Sequence, residues 1–322
     1  MQNDGFAYAV IIGDANIDVT IPLDPLIKLD RTSAAVGGGG TSANTAVALR
    51  KLGIPTAFMG TLGQDFGGRY MLNELRDADI NITLTRTVPD YNTVSVFAFI
   101  DEEGERHLWA FPREREAYTQ MELLPEDLEK IRSSRWVHSS GMTYMKPGPV
   151  RTVIPEIFKA AYEAGVPTSF DLNTRAEKFE DLDPGIRDAV MQTIPYVTYL
   201  LGSAKDEFYS LYPCEDWVDS VAHFAAPGRA VIARMGGEGT AVYYNGFWEM
   251  QKAFDVPVVN TTGAGDSFNA GFIAGMLTGK SLSAAVTWGN AVAGYKVSGD
   301  GARYTPDAEG LRFFLETAKR KG

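Results

Sequence analysis

Cysteine is nearly absent from this 322-residue chain, with Cys214 the only one. One thiol forms neither a disulfide framework nor a cysteine-based zinc site. Histidine is almost as scarce: His107, His138 and His223 stand far apart and supply no HExxH-type ligand pair. Basic residues are outnumbered, 30 Lys and Arg against 41 Asp and Glu, for a net charge of −11. That balance argues against a nucleic-acid or anionic-membrane partner, and an anionic substrate would need a local basic cluster. No apolar run approaches the roughly 18 residues of a membrane span. The first twenty residues hold Asp4, Asp14 and Asp18 but neither Lys nor Arg, so they do not read as a signal peptide. Internal repeats, low-complexity tracts and Pro/Ser-rich linkers are missing too. These absences leave a metabolic protein of a reducing compartment, expected in the cytoplasm.

What is present is a large apolar fraction, 45%, against 22% charged residues, enough to build a sizeable core. The chain opens with an apolar run, Ala7 to Ile12, stopped by Gly13, as in a short buried strand. After a glycine run, Gly37 to Gly40, Ala46, Val47 and Leu49 recur at helical spacing up to Gly53, a C-cap residue. A strand over 55–59 and an apolar-faced helix near 69–78 follow. Segments 92–101 and 105–112 flank Glu102-Glu103-Gly104 and read as a hairpin. With part of 19–36, that hairpin is expected to form a small sheet apart from the main body.

Beyond Met121 strand-like runs at 135–139, 166–171, 197–201 and 230–235 alternate with helical stretches at 149–164, 185–193, 204–211 and 216–225. This rhythm predicts an α/β fold, a doubly wound, mostly parallel sheet with helices on both faces. Helices near 265–278, 281–297 and 306–320 close it. One domain over 1–322 is expected, with a β lid formed by about 14–36 and 90–118.

The strongest local signal is NTTGAGDSFNAGF (260–272). An apolar, strand-like run, Val256 to Val259, enters it, and Phe268, Phe272 and Met276 leave it at helical spacing. Gly263, Ala264, Gly265 and Asp266 therefore sit at a helix start, where small residues let amides approach an anion and the dipole adds partial positive charge. An aspartate beside such a nest can accept the proton of an attacking hydroxyl. The bland alternative is an acid that complements the dipole. GGGGTSANTAVALRKLG (37–53) nearly fits a dinucleotide fingerprint through Gly38, Gly40 and Ala43. The required acid closing the next strand is missing, so that reading is rejected. The glycines can instead bring backbone close to a polyhydroxylated ligand with Asn44 pointing inward. GMLTGKS (275–281) is one residue short of a P-loop and follows a helix, so it reads as a C-cap at Gly279 with a solvated Lys280.

Smaller features point the same way. Asp14, Asn16 and Asp18 follow the first strand, and Asp171, Asn173 and Arg175 follow a later one, where open α/β sheets place ligands. RMGGEG (234–239) again pairs a strand end with a glycine turn. Arg113 and Arg115 close the hairpin and are as easily solvated as functional. His138, within an apolar run, reads as a core histidine.

Together, in this order, these segments resemble the ribokinase-like carbohydrate kinase (PfkB) family from about residue 8 to 306. The anchors are GGTSANTAVALRKLG (39–53), GTLGQDFGG (60–68) and NTTGAGDSF (260–268). Weaker ones are GDANID (13–18), DEEGER (101–106), DLNTR (171–175) and GDGARYTP (299–306). The resemblance implies ATP with Mg²⁺ and transfer to a hydroxyl, expected to be primary, of a small sugar or derivative. It implies Asp266 as base, with Gly263, Ala264 and Gly265 as anion hole. It implies sugar contacts at Asn16, Asp18, Gly39, Gly40 and Asn44, and substrate or phosphate contacts at Arg113 and Arg175. It implies a nucleotide pocket at Arg234, Gly236, Gly239 and Asn290, and a homodimer joined through the lids.

Two positions depart from the family pattern. Asn260 stands where the family has an aspartate that helps hold a monovalent cation, which puts K⁺ activation in doubt. In the metal-linked N-x-x-E element Glu207 fits the acid, but Ser203 or Ala204 occupies the asparagine position. A nucleoside kinase, with Trp109, Phe111 and Tyr118 as a base platform, is the alternative within the family. A non-catalytic sugar-binding protein on this scaffold is the alternative outside it.

Overall fold

A computed structural model describes residues 6–22, 34–100, 106–111, 114–176 and 178–322. Thirteen strands are present among them. They are β1 Ala9–Ile12, β2 Asn16–Pro22, β3 Ala35–Gly39, β4 Thr56–Gly63, β5 Asn81–Val88, β6 Ser95–Ile100 and β7 Arg106–Phe111. The rest are β8 Trp136–Ser140, β9 Thr168–Asp171, β10 Tyr199–Ser203, β11 Ala230–Arg234, β12 Thr240–Tyr244 and β13 Phe247–Gln251. Nine form one sheet in the order β13-β12-β11-β10-β9-β8-β1-β4-β5. It is parallel from β5 to β11 and antiparallel at the β12 and β13 edge.

Strand β1 shows why two helical layers are needed. All four of its side chains are buried, and successive residues point to opposite faces. Val10 and Ile12 join a core with Ile154, Phe158 and Val190, from the helices Val150–Glu163 and Pro184–Thr193. Ala9 and Ile11 join another with Leu49, Phe272 and Val292, from Thr41–Lys51, Ala264–Leu277 and Leu282–Val297. Phe272, fully buried, meets the rings of Trp136 and Tyr199 at centroid distances of 6.3 and 5.3 Å. Truncating a buried aromatic of this kind costs about 3–5 kcal/mol.

A second sheet, ordered β3-β2-β6-β7, stands apart. Strands β2 and β3 pair antiparallel, as do β6 and β7, while β2 and β6 run parallel. Val36, Trp109 and Phe111 on it are 48%, 45% and 54% exposed.

The structure corrects several expectations. Residues 256–259 form no strand: Val258 and Val259 are exposed, and Val256 and Val258 line a cleft. Apolar residues there face an opening and have no sheet neighbour to pair with. The stretch 204–211 is a π-turn, Ala204–Phe208, continued by one α-turn, Tyr209–Leu211. Strand β5 and the β12–β13 hairpin were not anticipated. The hairpin turns at Asn245 and Gly246, with φ of 52° and 85°, the paired positive values of a type I′ turn.

Candidate active site

Two helices begin side by side at the sheet's carboxyl ends, and their first turns build the site. The helix Thr41–Lys51 starts at Gly40, which has no side chain to cap it. Asp14, just past β1, performs that task from a distance. Its Oδ2 accepts from Thr41 N at 2.9 Å and its Oδ1 from Ser42 N at 3.1 Å. Gly40 adopts φ 95°, and a Cβ there would lie 2.8 Å from Asp14 O. Glycine is thus required for this helix to start against the strand.

The helix Ala264–Leu277 starts at Gly263, in the left-handed region at φ 79°. A Cβ at Gly263 would meet Ala302 O at 2.7 Å, and one at Gly265 would meet Arg234 Nη1 at 3.0 Å. Helix starts present amides that lack an intrahelical acceptor. Of the expected nest, the Ala264 amide is turned onto Thr261 O at 3.1 Å.

Asp266 lies in the first turn and is only 8% exposed. Its Oδ2 accepts from Asn44 Nδ2 at 3.0 Å, and Thr45 Oγ1 donates to its carbonyl at 3.4 Å. Burial pushes its carboxyl up to about 7, helped by the charges of Asp14 and Asp171 and opposed by the Asn44 hydrogen bond and Arg234. A carboxyl poised there exchanges protons near neutrality. Arg303 Nε donates to the other end of the Asn44 amide, Oδ1, at 2.9 Å, and Arg303 Nη1 pairs with Glu74 Oε1 at 2.5 Å.

The sugar-contact expectations gather near this point. Asn16 Nδ2 donates to Asp18 Oδ1 at 2.6 Å, and Asn16 is paired with Gly39 across the small sheet. A Cβ at Gly39 would lie 2.4 Å from the Asp18 carboxylate oxygens, so any larger residue there would displace that acid. Burial raises the Asp18 carboxyl, against its Asn16 bond and the Arg303 charge.

On the far side of Gly265 a cleft of about 360 Å³ is lined by Arg234, Gly236, Gly239, Thr240, Phe268 and Asn290, among others. Asn290 Oδ1 accepts from Thr240 Oγ1 at 2.8 Å, and its buried Nδ2 has no partner among the described residues. The Arg234 guanidinium is turned away to Asp171, Nη2 to Oδ1 at 2.5 Å and Nη1 to Oδ2 at 2.9 Å. Its Nη1 also reaches Gly265 O at 3.4 Å. Burial opposes charge on Asp171, yet the Arg234 charge and hydrogen bonds, with one from Asn269, hold its carboxyl below the usual range.

Glu207 sits one contact beyond. Its Oε2 is 3.7 Å from Arg234 Nη2 and accepts from Ser203 N at 2.7 Å. Burial and the Asp171 charge raise its carboxyl, opposed by Arg234 and by amides of Ser203 and Asn173. No cluster of three metal-binding side chains occurs among the described residues.

Other expected residues fall elsewhere. Arg113 lies outside the described residues. Arg175 is exposed at φ 55° and lines a separate hollow with Thr174, Asp181 and Asp183. Asp171 ends its strand, but Asn173 and Arg175 both take positive φ, so strand alternation does not carry past it. Tyr118 is buried, with Glu116 hydrogen-bonded to it, while Trp109 and Phe111 are exposed on the small sheet. His138 is a core residue whose Nδ1 is 2.8 Å from Ser169 Oγ, and burial lowers its ring to about 4. Sequence reasoning missed Glu74 and Arg303 and did not assign Asp14 its capping role.

A doubly wound α/β body with a small separate sheet, and two glycine-started helices meeting at a buried acid, define a class of fold. The chain belongs to the pfkB family of carbohydrate kinases, whose family model matches residues 7–308. It is 29% identical over 307 residues to the ATP-dependent ribose-1-phosphate kinase of Halopiger xanaduensis, covering 94% of this chain and 96% of that one. Among solved structures it is similar to aminoimidazole riboside kinase from Salmonella enterica, solved with aminoimidazole riboside and an ATP analog. The TM-score is 0.79 at 25% identity, over 96% of this chain and 100% of that one. It also shares its fold with a Vibrio cholerae fructokinase double mutant bound to fructose, ADP and potassium ion, at TM-score 0.77 and 23% identity, over 98% and 100% of the respective chains. The family and its relatives make this protein a sugar kinase. No helix among the described residues is long and apolar enough to cross a membrane.

Proposed function

We propose that the enzyme transfers the γ-phosphoryl group of ATP to a primary hydroxyl of a small sugar or sugar derivative, with Asp266 as general base. The observation that carries this is the pairing of a buried, proton-exchanging carboxyl with a glycine-started helix. The acceptor lies against Asn16, Asp18, Gly39, Gly40 and Asn44, where paired amide and carboxylate groups match sugar hydroxyls. Its O–H proton passes to Asp266 as its oxygen forms the new bond to Pγ. The bond from Pγ to the bridging oxygen breaks and ADP leaves. Amides of Gly263, Gly265 and Asp266 face the phosphoryl oxygens, where charge is spread in the transition state.

ATP occupies the cleft lined by Gly236, Gly239 and Asn290, whose unpartnered Nδ2 is a donor for the base. Arg234 serves as a strut that fixes Gly265 O to Asp171 rather than as a nucleotide contact. Mg²⁺ would be held largely by the phosphates and water, and would neutralise charge on the transferring group. Glu207, held by the amides of Ser203 and Asn173, is the acid that would reach it through water. Potassium is not required. The small sheet acts as a lid that keeps water from the phosphoryl group. Its exposed Val36, Trp109 and Phe111 support a homodimer joined lid to lid. The location we propose for it is the cytoplasm.

The test is coupled ADP release with Mg-ATP across pentoses, ketohexoses, phosphorylated and acidic sugars, and nucleosides. One acceptor that raises release well above the sugar-free rate is expected. Nucleotide binding without release over any acceptor contradicts the catalytic reading.

A further inference from the structure

The helix Leu282–Val297 carries in its last turn a lysine, Lys296, that is 0% exposed. A buried cation is costly unless it finds compensating partners. Lys296 Nζ donates to the carbonyl of Asn260 at 2.7 Å. The amides of Val259 and Asn260 both donate to Val297 O, at 2.8 and 3.2 Å. The end of one helix thus grips the turn that leads into the next, three residues before Gly263.

The other end of Asn260 is held as firmly. Its Nδ2 donates to Asp300 Oδ1 at 2.7 Å, and its Oδ1 accepts from Thr262 N at 2.9 Å. Asp300 Oδ1 also accepts from Gly301 N at 2.8 Å. One cation, one carboxylate and one neutral amide therefore meet at this turn. An aspartate at 260 would set a second carboxylate beside Asp300.

We infer that Lys296 is a built-in cation: its side chain does at the 260–263 turn what a bound monovalent ion does elsewhere, and Asn260 is the neutral residue that matches it. A potassium ion at the Asn260 carbonyl would stand beside the Lys296 ammonium, a like charge 2.7 Å from that oxygen, so it does not fit this arrangement. Lys296 is a positioning residue, acting through the turn on the amides at the start of the helix Ala264–Leu277. The inference rests on the nucleotide reading of that helix start.

The test compares ADP binding by calorimetry, and melting temperature, in about 0.1 M KCl, NaCl and tetramethylammonium chloride. Wild-type affinity and melting temperature are expected to be the same in all three, within about twofold for affinity. Lys296→Met combined with Asn260→Asp, which removes the built-in cation and restores a carboxylate, is expected to acquire cation dependence, with ADP bound about fivefold or more tightly in KCl than in tetramethylammonium. Asn260→Asp alone, with Lys296 still in place, is expected to stay indifferent to the cation. Wild-type affinity that rises about fivefold or more with potassium overturns the inference, and this comparison decides if the double variant does not fold. A folded double variant whose affinity and melting temperature ignore the cation overturns it too. Absence of ADP binding by the wild type in every salt contradicts the nucleotide reading instead, and the melting temperatures then decide the cation question alone.

Discussion

Asn44 donates to Asp266 through one end of its amide while the other end accepts from Arg303. Because Arg303 has only donors, it fixes the amide oxygen toward itself and so presents the nitrogen to the carboxylate. Three residues distant in sequence form a directed chain that ends on the Asp266 carboxyl.

Removing Arg303 frees Asn44 to rotate. Arg303→Met is expected to lower kcat about tenfold or more while changing the KM for ATP little, because the nucleotide cleft does not include it. Steady-state kinetics with saturating acceptor measure this. A rise in the ATP KM with unchanged kcat would assign Arg303 elsewhere.

The pH dependence has a definite sign. Asp266 must be ionised to take a proton, and burial holds it up to about 7. The rate is therefore expected to climb through neutrality and level off above it. The Asn44 hydrogen bond lowers that value, so Asn44→Ala should move the acid limb to higher pH. A kcat/KM profile flat from pH 5.5 to 8.5 would contradict the assignment.

The same raised carboxyl carries a stability cost. A group titrating higher in the folded than in the unfolded chain favours folding when protonated and loses that benefit as pH rises through the folded value. Asp266→Asn is thus expected to gain thermal stability relative to wild type at pH 8, with the gain shrinking at pH 5. Differential scanning calorimetry at the two pH values checks it.

Arg234 behaves in the opposite sense. It neutralises Asp171, a fully buried carboxylate held below the ordinary range. Arg234→Met leaves that charge unpaired and is expected to destabilise the fold by about 3–5 kcal/mol. The contribution of Asp171 is present above its unfolded value and is lost as pH falls through the folded one. The folded value lies below 3.8, so denaturant unfolding at pH 7 and at about pH 2.5 should show a smaller difference between the proteins at the lower pH.

The exposed ring pair Trp109 and Phe111, with centroids 6.3 Å apart, gives the dimer a test. Trp109→Ser with Phe111→Ser is expected to convert a dimer to a monomer in light scattering, leaving the main sheet intact. A wild type that is monomeric at all concentrations would remove the lid-to-lid arrangement.

What was legible in the sequence is what local chemistry dictates. Gly263 announced its turn because only glycine takes a left-handed start without strain, and the apolar spacing after it marked the helix. The parallel core strands were legible as short buried runs between helical periods. The Asn245-Gly246 hairpin carried an equally local signal that went unread.

The rest depended on packing between distant segments. Arg303 and Glu74 are ordinary charged residues in sequence, and they matter only because the 299–306 loop folds back over the helix Thr41–Lys51. Residues 256–259 misled for a related reason: an apolar run looks the same whether it enters a sheet or rims a cleft. Lys296 at the end of an apolar helix gave no local sign that it is buried.

The most direct test of the central claim is γ-phosphoryl transfer from ATP to the preferred sugar by wild type and Asp266→Asn, with ATP affinity measured alongside. The account predicts that Asp266→Asn binds ATP as the wild type does but turns over about 10²–10⁴-fold more slowly. Near-normal transfer by that variant would show that the proton leaves by another route, and Asp266 would not be the base.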